Sequence, residues 1–239
     1  MKILATAFCY NELPYIETWV KYYHSQGCEL FVLDNLSNDG TYEWLIRNEI
    51  PCARIDTRES FHLTELQKAL NKHIHRIKPD WVVYAGIDLF LITDDGLKQT
   101  IEKLDTQGFG KVPLMCFGAL NTGEKFGMPL HKHFFNAGYW KDITLIGKYN
   151  KDFSLDGDNI TNGYEEPQFT SGIMVNYGAC KPAEEQEIKL KRREKAWAEG
   201  LRAGTGRHYR KGKAKNWIYS KEGTSNLNEL YAKYINQLP

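Results

Sequence analysis

An alternation constrains this chain more than any other feature. Through the first 120 of its 239 residues, short apolar runs take turns with segments whose apolar residues recur at helical spacing. The runs at 2–9 (KILATAFC), 29–35 (ELFVLDN), 52–57 (CARIDT), 80–88 (DWVVYAGID) and 112–119 (VPLMCFGA) read as strands. Over 11–27, Tyr15, Ile16, Trp19, Val20 and Tyr23 share one helical face. Asn11 is the expected N-cap, Pro14 falls in the first turn, and Gly27 is the expected stop. A short helix is expected over 41–48, after turn-forming residues 37–40. Thr64 and Gln67 have capping-box spacing, and beyond them Leu66, Leu70, Ile74 and Ile77 form a stripe. The segment 94–108 places Leu97, Ile101 and Leu104 on another helix. Strands alternating with helices imply a mainly parallel sheet with helices on both faces. Ligands of such sheets bind outside the carboxyl ends of the strands. That rule brings Asn11 and Glu12, Asp34 and Asn35, and Asp88 to one crevice.

Asp88 stands out because it sits inside Asp80–Ile92, the most apolar run in the chain. A carboxylate is costly to bury alone. Either the fold supplies a partner, or Asp88 ends a strand and faces a ligand, where it could hold a divalent cation that bridges a diphosphate. Asp34, after the apolar residues 30–33, suits a ribose hydroxyl or a base N–H, or else an Asx-turn.

Composition narrows the class. Hydrophobic residues make up 42% and aromatics 13%, which is a folded globular composition. The apolar runs are too short to span a bilayer, and the N-terminus reads as a strand rather than a signal peptide, so a cytoplasmic protein is expected. The five cysteines, Cys9, Cys28, Cys52, Cys116 and Cys180, include no Cys-x-x-Cys pair and read as buried free thiols. Net charge is +1, yet the segment Lys189–Lys215 alone carries +9. Such a segment binds an anion (a diphosphate, a nucleic acid or a lipid headgroup) or forms a solvated helix face.

After residue 120 the pattern loosens into segments rich in Gly, Asn, Asp and aromatics, which read as loops and short strands beside the crevice. Residues 183–201 read as a helix. No boundary divides the chain, so one domain over 1–239 is expected, with an alternating half at 1–120, a loop-rich part at 121–180 and a basic helical tail at 181–239. The region following the first strand holds no Gly-x-Gly-x-x-Gly, and the chain has no Walker loop. The histidines show no metal-ligand spacing with a clear Glu. His131 and His133 could face one way on a strand, but a surface or loop position is the commoner case. Asp156, Asp158, Glu165 and Glu166 form a loop-borne acidic cluster. One of them could take a proton from an acceptor hydroxyl.

These residues together resemble a known family. Asn11-Glu12 after the first strand, the Trp-bearing helix ending in Gly27, and Asp34, Ser37, Asp39, Gly40 and Thr41 look like the first half of family-2-like glycosyltransferases with the GT-A fold. The resemblance covers roughly the first 95 residues; less specifically, 176–197 is similar to a later His-Tyr-Gly segment and its helix. It implies a GT-A-like domain, with a nucleotide-sugar-binding half at 1–120 and an acceptor side at 121–180, that moves a hexosyl or pentosyl group from a nucleotide-diphosphate sugar, a UDP-sugar by analogy, to a hydroxyl acceptor. Asn11, Glu12, Asp34, Asn35 and Ile87 would line the donor, and Asp88 would hold Mn or Mg with the diphosphate. The family's Asp-x-Asp reads Gly86-Ile87-Asp88 here, and its later His is Asn176. The cation could be held by Asp88 with waters, or replaced by basic side chains of Lys189–Lys215. The acceptor classes are a glycan or, through the basic segment, a hydroxylated base in DNA. The alternative is a non-catalytic module that binds a nucleotide sugar or a nucleic acid.

Overall fold

The apolar runs gather into one sheet because a strand buried on both faces can satisfy its backbone only in the interior of a sheet. The computed structural model describes residues 1–119, 137–157, 159–165, 167, 171–178 and 181–198. The strands are β1 (Ile3–Cys9), β2 (Glu29–Asp34), β3 (Cys52–Arg54), β4 (Trp81–Tyr84), β5 (Leu89–Thr93), β6 (Lys111–Ala119), β7 (Ala137–Lys148), β8 (Ser154–Asp156), β9 (Asn159–Thr161) and β10 (Gly172–Asn176). The helices are α1 (Leu13–Ser25), α2 (Thr41–Arg47), α3 (Leu63–Ile77), α4 (Leu97–Thr106) and α5 (Ala183–Ala198).

Eight strands form one sheet in the order β3-β2-β1-β4-β7-β6-β10-β5, with β8 and β9 as a separate hairpin. β1, β2, β3, β4, β6 and β10 run one way; β7 and β5 run against them. The chain steps outward from β1 through β2 to β3, then returns to place β4 on the other side of β1. The crevice between the carboxyl ends of β1 and β4 is therefore a topological switch point. This is the mainly parallel layout that the alternation of strands and helices implied.

Residues 80–88 do not form one strand. β4 stops at Tyr84, and Ile87 and Asp88 make a turn into β5. Only residues 85–88 separate β4 from β5, although three strands lie between them in the sheet. Four inter-strand steps span about 19 Å in a flat sheet, at the limit of a fully stretched link of this length. The link is not stretched, since Leu89 N donates to Gly86 O at 2.9 Å. The sheet therefore curls back on itself and carries the Asp88 turn into its concave edge.

The helical stripes fall where their spacing predicts. Tyr15, Ile16, Trp19, Val20 and Tyr23 of α1 and Leu66, Leu70 and Ile74 of α3 are buried. Gly27, at φ +79°, ends α1. Two caps differ from expectation. Glu12, not Asn11, precedes α1, and the Asp39 carboxylate accepts from Leu13 N at 3.0 Å, so another loop caps the helix. Thr64 lies inside α3; His62 caps it, its Nδ1 accepting from Glu65 N at 3.2 Å. Gln67 is used elsewhere. With Asn71 it exchanges hydrogen bonds with backbone groups of Gly157 and Leu155, so α3 grips the β8–β9 hairpin. Cys9, Cys28 and Cys116 are buried free thiols and Cys52 is half-buried; Cys180 lies outside the described residues. No described helix is long and apolar enough to cross a membrane.

Candidate functional site at the switch point

Two loops at the carboxyl edge are knitted together by the residues that carry the family resemblance. Asn11, at φ +54°, exchanges side-chain bonds with Asn38: its Nδ2 donates to Asn38 Oδ1, and its Oδ1 accepts from Asn38 N, both at 2.9 Å. Asn11 N donates to Ser37 Oγ, and Glu12 N to Thr41 Oγ1, each at 2.9 Å. Asp39 holds Thr41 as well as capping α1. Ser37, Asp39 and Thr41 thus hold the turn that aims Glu12 into the crevice.

Asp34 and Asn35 are drawn inward instead. The Asp34 carboxylate is fully buried. It accepts from Arg54 Nε at 2.9 Å, from Ser37 N at 3.1 Å and from the Cys9 thiol at 3.6 Å. Arg54 also donates to Ser37 O at 2.7 Å and lies over the Tyr42 ring. Asn35 Oδ1 accepts from Thr57 Oγ1 at 2.9 Å, which fixes the loop after β3. Both residues therefore brace the edge of the crevice from beneath, and the Asp34 carboxylate is wholly taken up by these partners.

The Asp88 turn is held from two sides. From α1, Trp19 Nε1 donates to Ala85 O at 3.2 Å, Tyr23 Oη to Leu89 O at 2.9 Å and Tyr22 Oη to Leu91 O at 2.8 Å. These buried aromatics turn their polar tips onto the backbone of the turn and of β5, the strand it leads into. Ile87 is buried in the core and contributes no polar group. From β10, Tyr177 N donates to Asp88 O at 2.9 Å. Asn176, in the position of the family's His, makes an Asx-type turn, its Oδ1 accepting from Gly178 N at 2.8 Å. Gly178 then passes so close that a Cβ there would stand 2.8 Å from Asp88 Oδ2.

The fourth wall is α5, laid across the strand ends. Lys189 Nζ donates to Asp88 Oδ2 at 2.9 Å. Lys181, just before α5, bonds to Glu12 and stands 3.8 Å from Asp88 Oδ2, with the Tyr15 ring 4.6 Å away. Tyr15 Oη in turn donates to Glu185 at 3.0 Å. The Arg192 guanidinium stacks 3.3 Å from the Tyr10 ring centroid, and Arg193 lies over Phe61. Lys189, Arg192 and Arg193 fall at i, i+3 and i+4, one face of the helix, and that face turns inward. Lys181 side-chain exposure is only 4%, whereas Lys189 keeps 37%. Burial alone would raise the Asp88 carboxyl, but Lys189 and Lys181 outweigh it and hold it well below the usual carboxylate range. For Glu12 burial dominates, and its carboxyl is raised despite Lys181. The Lys181 ammonium would lose its proton more readily through burial; Glu12 and Asp88 reverse that and raise it.

The metal role expected of Asp88 does not fit these neighbours. Its Oδ2 faces two ammonium groups, and Gly86, beside Oδ1, supplies no ligand. Glu12, the other carboxylate present, is taken by Lys181. Among the described residues no three His, Cys, Asp or Glu side chains converge to hold a cation.

Of the acids expected to act as base, Asp156 lies exposed at the end of β8, in the hairpin gripped by α3. Glu165 is exposed beside Tyr164, which packs on Gly110 just before β6. No described hydrogen bond or ion pair joins either to Asp88. Asp158, Glu166, His131, His133 and residues 199–215 of the basic segment lie outside the described residues. Lys181 was not among the residues expected. It is a single Lys ahead of Pro182, and only its pairing with Glu12 and Asp88 in the folded chain reveals it. The helical spacing of Lys189, Arg192 and Arg193 was the available signal for a basic face.

No protein-family model matches the chain, and no curated protein matches it. Solved structures are similar to part of it. TarS of S. aureus, in a complex with UDP, is 19% identical with a TM-score of 0.39; the match covers 56% of this chain and 40% of that one. Glucosyl-3-phosphoglycerate synthase from Mycobacterium tuberculosis, in complex with Mn2+, UDP and phosphoglyceric acid, is 20% identical with a TM-score of 0.34. That match covers 49% of this chain and 43% of that one. The chain thus spans less than half the length of these structures.

Proposed function

We propose that this protein is a glycosyltransferase that takes a sugar from a nucleotide-diphosphate donor and passes it to a hydroxyl acceptor. One observation carries the reading. Glu12 and Asp88, from the carboxyl ends of β1 and β4, flank the switch point and are joined there through Lys181. A parallel sheet directs its ligands to that place, and a charged cluster there suits a charged ligand. The motif residues Asn11, Ser37, Asp39 and Thr41 support it by shaping the same edge. In the reaction the bond between the anomeric carbon and the diphosphate oxygen breaks, and its electron pair stays on the diphosphate. The acceptor oxygen forms the new bond and gives its proton to a loop acid, with Asp156, Asp158, Glu165 and Glu166 as candidates. A UDP-sugar donor, and a glycan or a hydroxylated DNA base as acceptor, extend the same reading.

The test is release of nucleoside diphosphate from a panel of sugar nucleotides by wild type and Asp88→Asn. Release that falls at least about a hundredfold in the variant supports the transferase. A second reading is favoured by the mutual pairing of the crevice charges, which leaves the site satisfied without a ligand: a binding module. It predicts a thermal shift by a sugar nucleotide with no release. Neither release nor shift with any donor would remove both.

A further inference from the structure

We propose that the ammonium groups of Lys181 and Lys189, rather than a divalent cation, hold the donor's diphosphate; this deepens the transferase reading and rests on it for the identity of the ligand. The two side chains converge on Asp88 Oδ2 from 3.8 and 2.9 Å, where a cation bridging carboxylate and diphosphate would otherwise stand. An ammonium has three donor hydrogens. Lys189 directs one to Asp88 and, being more than a third exposed, has others to offer an anion in the crevice. Asp88 then acts as a positioning residue that fixes the Lys189 ammonium at the strand end. Lys181 is fixed in the same way by Glu12, and its charge lies over the Tyr15 ring.

The local charge points the same way. Two carboxylates, Glu12 and Asp88, face Lys181 and Lys189, and Arg192 and Arg193 add two positive charges from the same face of α5; Glu185, bonded to Tyr15, offsets one. The cluster is net positive before any metal enters, so a diphosphate meets favourable charge. During transfer these fixed cations would stabilise the negative charge that collects on the departing diphosphate. Lys189 sits over a strand end inside a crevice, not on an open stripe, which suits a compact anion better than a polymer.

The experiment is calorimetric titration of the full chain with inorganic pyrophosphate, and separately with UDP, in EDTA and in Mn2+. Wild type, Lys189→Gln and Lys181→Gln are compared. Loss of one charge-assisted contact should weaken binding about tenfold or more. The expected result is pyrophosphate binding in EDTA, little changed by Mn2+ and weakened in Lys189→Gln. Lys181 is buried, so its variant is read only if its circular dichroism matches wild type; partly exposed Lys189 carries the test otherwise. Binding that requires Mn2+, or that Lys189→Gln leaves intact, overturns the proposal. Turnover assays separate the two readings. Sugar-nucleotide turnover that requires Mn2+ keeps the transferase and overturns the ammonium pair. Metal-free pyrophosphate binding through Lys189 with no turnover of any donor keeps the ammonium site and removes the transferase.

Discussion

Replacing Lys181 by Met would leave Glu12, whose side chain is only 15% exposed, near the Asp88 charge with its ion partner gone. Breaking a buried pair on one side costs about 3–5 kcal/mol. Lys181→Met should therefore lower the urea midpoint well beyond any surface substitution, and an unchanged midpoint would show that Glu12 is protonated or hydrated there. Asp88 makes a prediction in pH. Its folded-state pKa is depressed, so it contributes stability at pH above its unfolded value of about 3.9, and that contribution is lost as pH falls below it. Wild type should lose more stability than Asp88→Asn on going from pH 5 toward pH 3, in urea titrations at about those two pH values.

At the scale of elements, α1 and α5 do different work. α1 anchors the Asp88 turn through three aromatic tips, and Tyr23 is the most connected of them: its hydroxyl donates to Leu89 O and accepts from Leu91 N at 3.3 Å. Tyr23→Phe leaves those groups buried, at a cost of about 1–3 kcal/mol, read as a lower melting temperature. α5 instead latches a strained loop. Arg58 and Glu59 both hold positive φ, near +54° and +58°, and their carbonyls accept from Lys195 and Arg192. The Phe61 amide donates to Arg192 O at 3.0 Å. Arg192→Ala should speed hydrogen exchange at Phe61; unchanged exchange would mean that α5 docks without its stack on Tyr10.

The molecule as a whole is a curled, mainly parallel sheet whose concave edge is closed by α5, so the charged residues that meet at the switch point lie far apart in sequence: 12, 88, 181 and 189. A donor that binds only the folded chain stabilises all of it. At a hundred times its Kd the gain is about 2.7 kcal/mol, and the unfolding midpoint should rise accordingly with the right sugar nucleotide, in EDTA as well as in Mn2+.

The sequence by itself determined the alternation of strands and helices, the buried stripes of α1 and α3, the stop at Gly27 and the edge to which Glu12 and Asp88 belong. These follow from local periodicity and backbone chemistry, which short windows contain. Tertiary structure decided the rest. It split 80–88 into a strand and a turn, because the curl of the sheet sends Leu89 to the far edge. It moved the cap of α1 to Asp39 and that of α3 to His62, because the donors left open at a helix end take whichever acceptor the fold brings near. It turned Asp34 inward to Arg54 and set Lys181 and Lys189 against Asp88. No window of sequence holds the Asp88 pairs, since a carboxylate's partner is chosen by what lies within a few ångströms in space, and for Asp88 that partner lies about a hundred residues away along the chain.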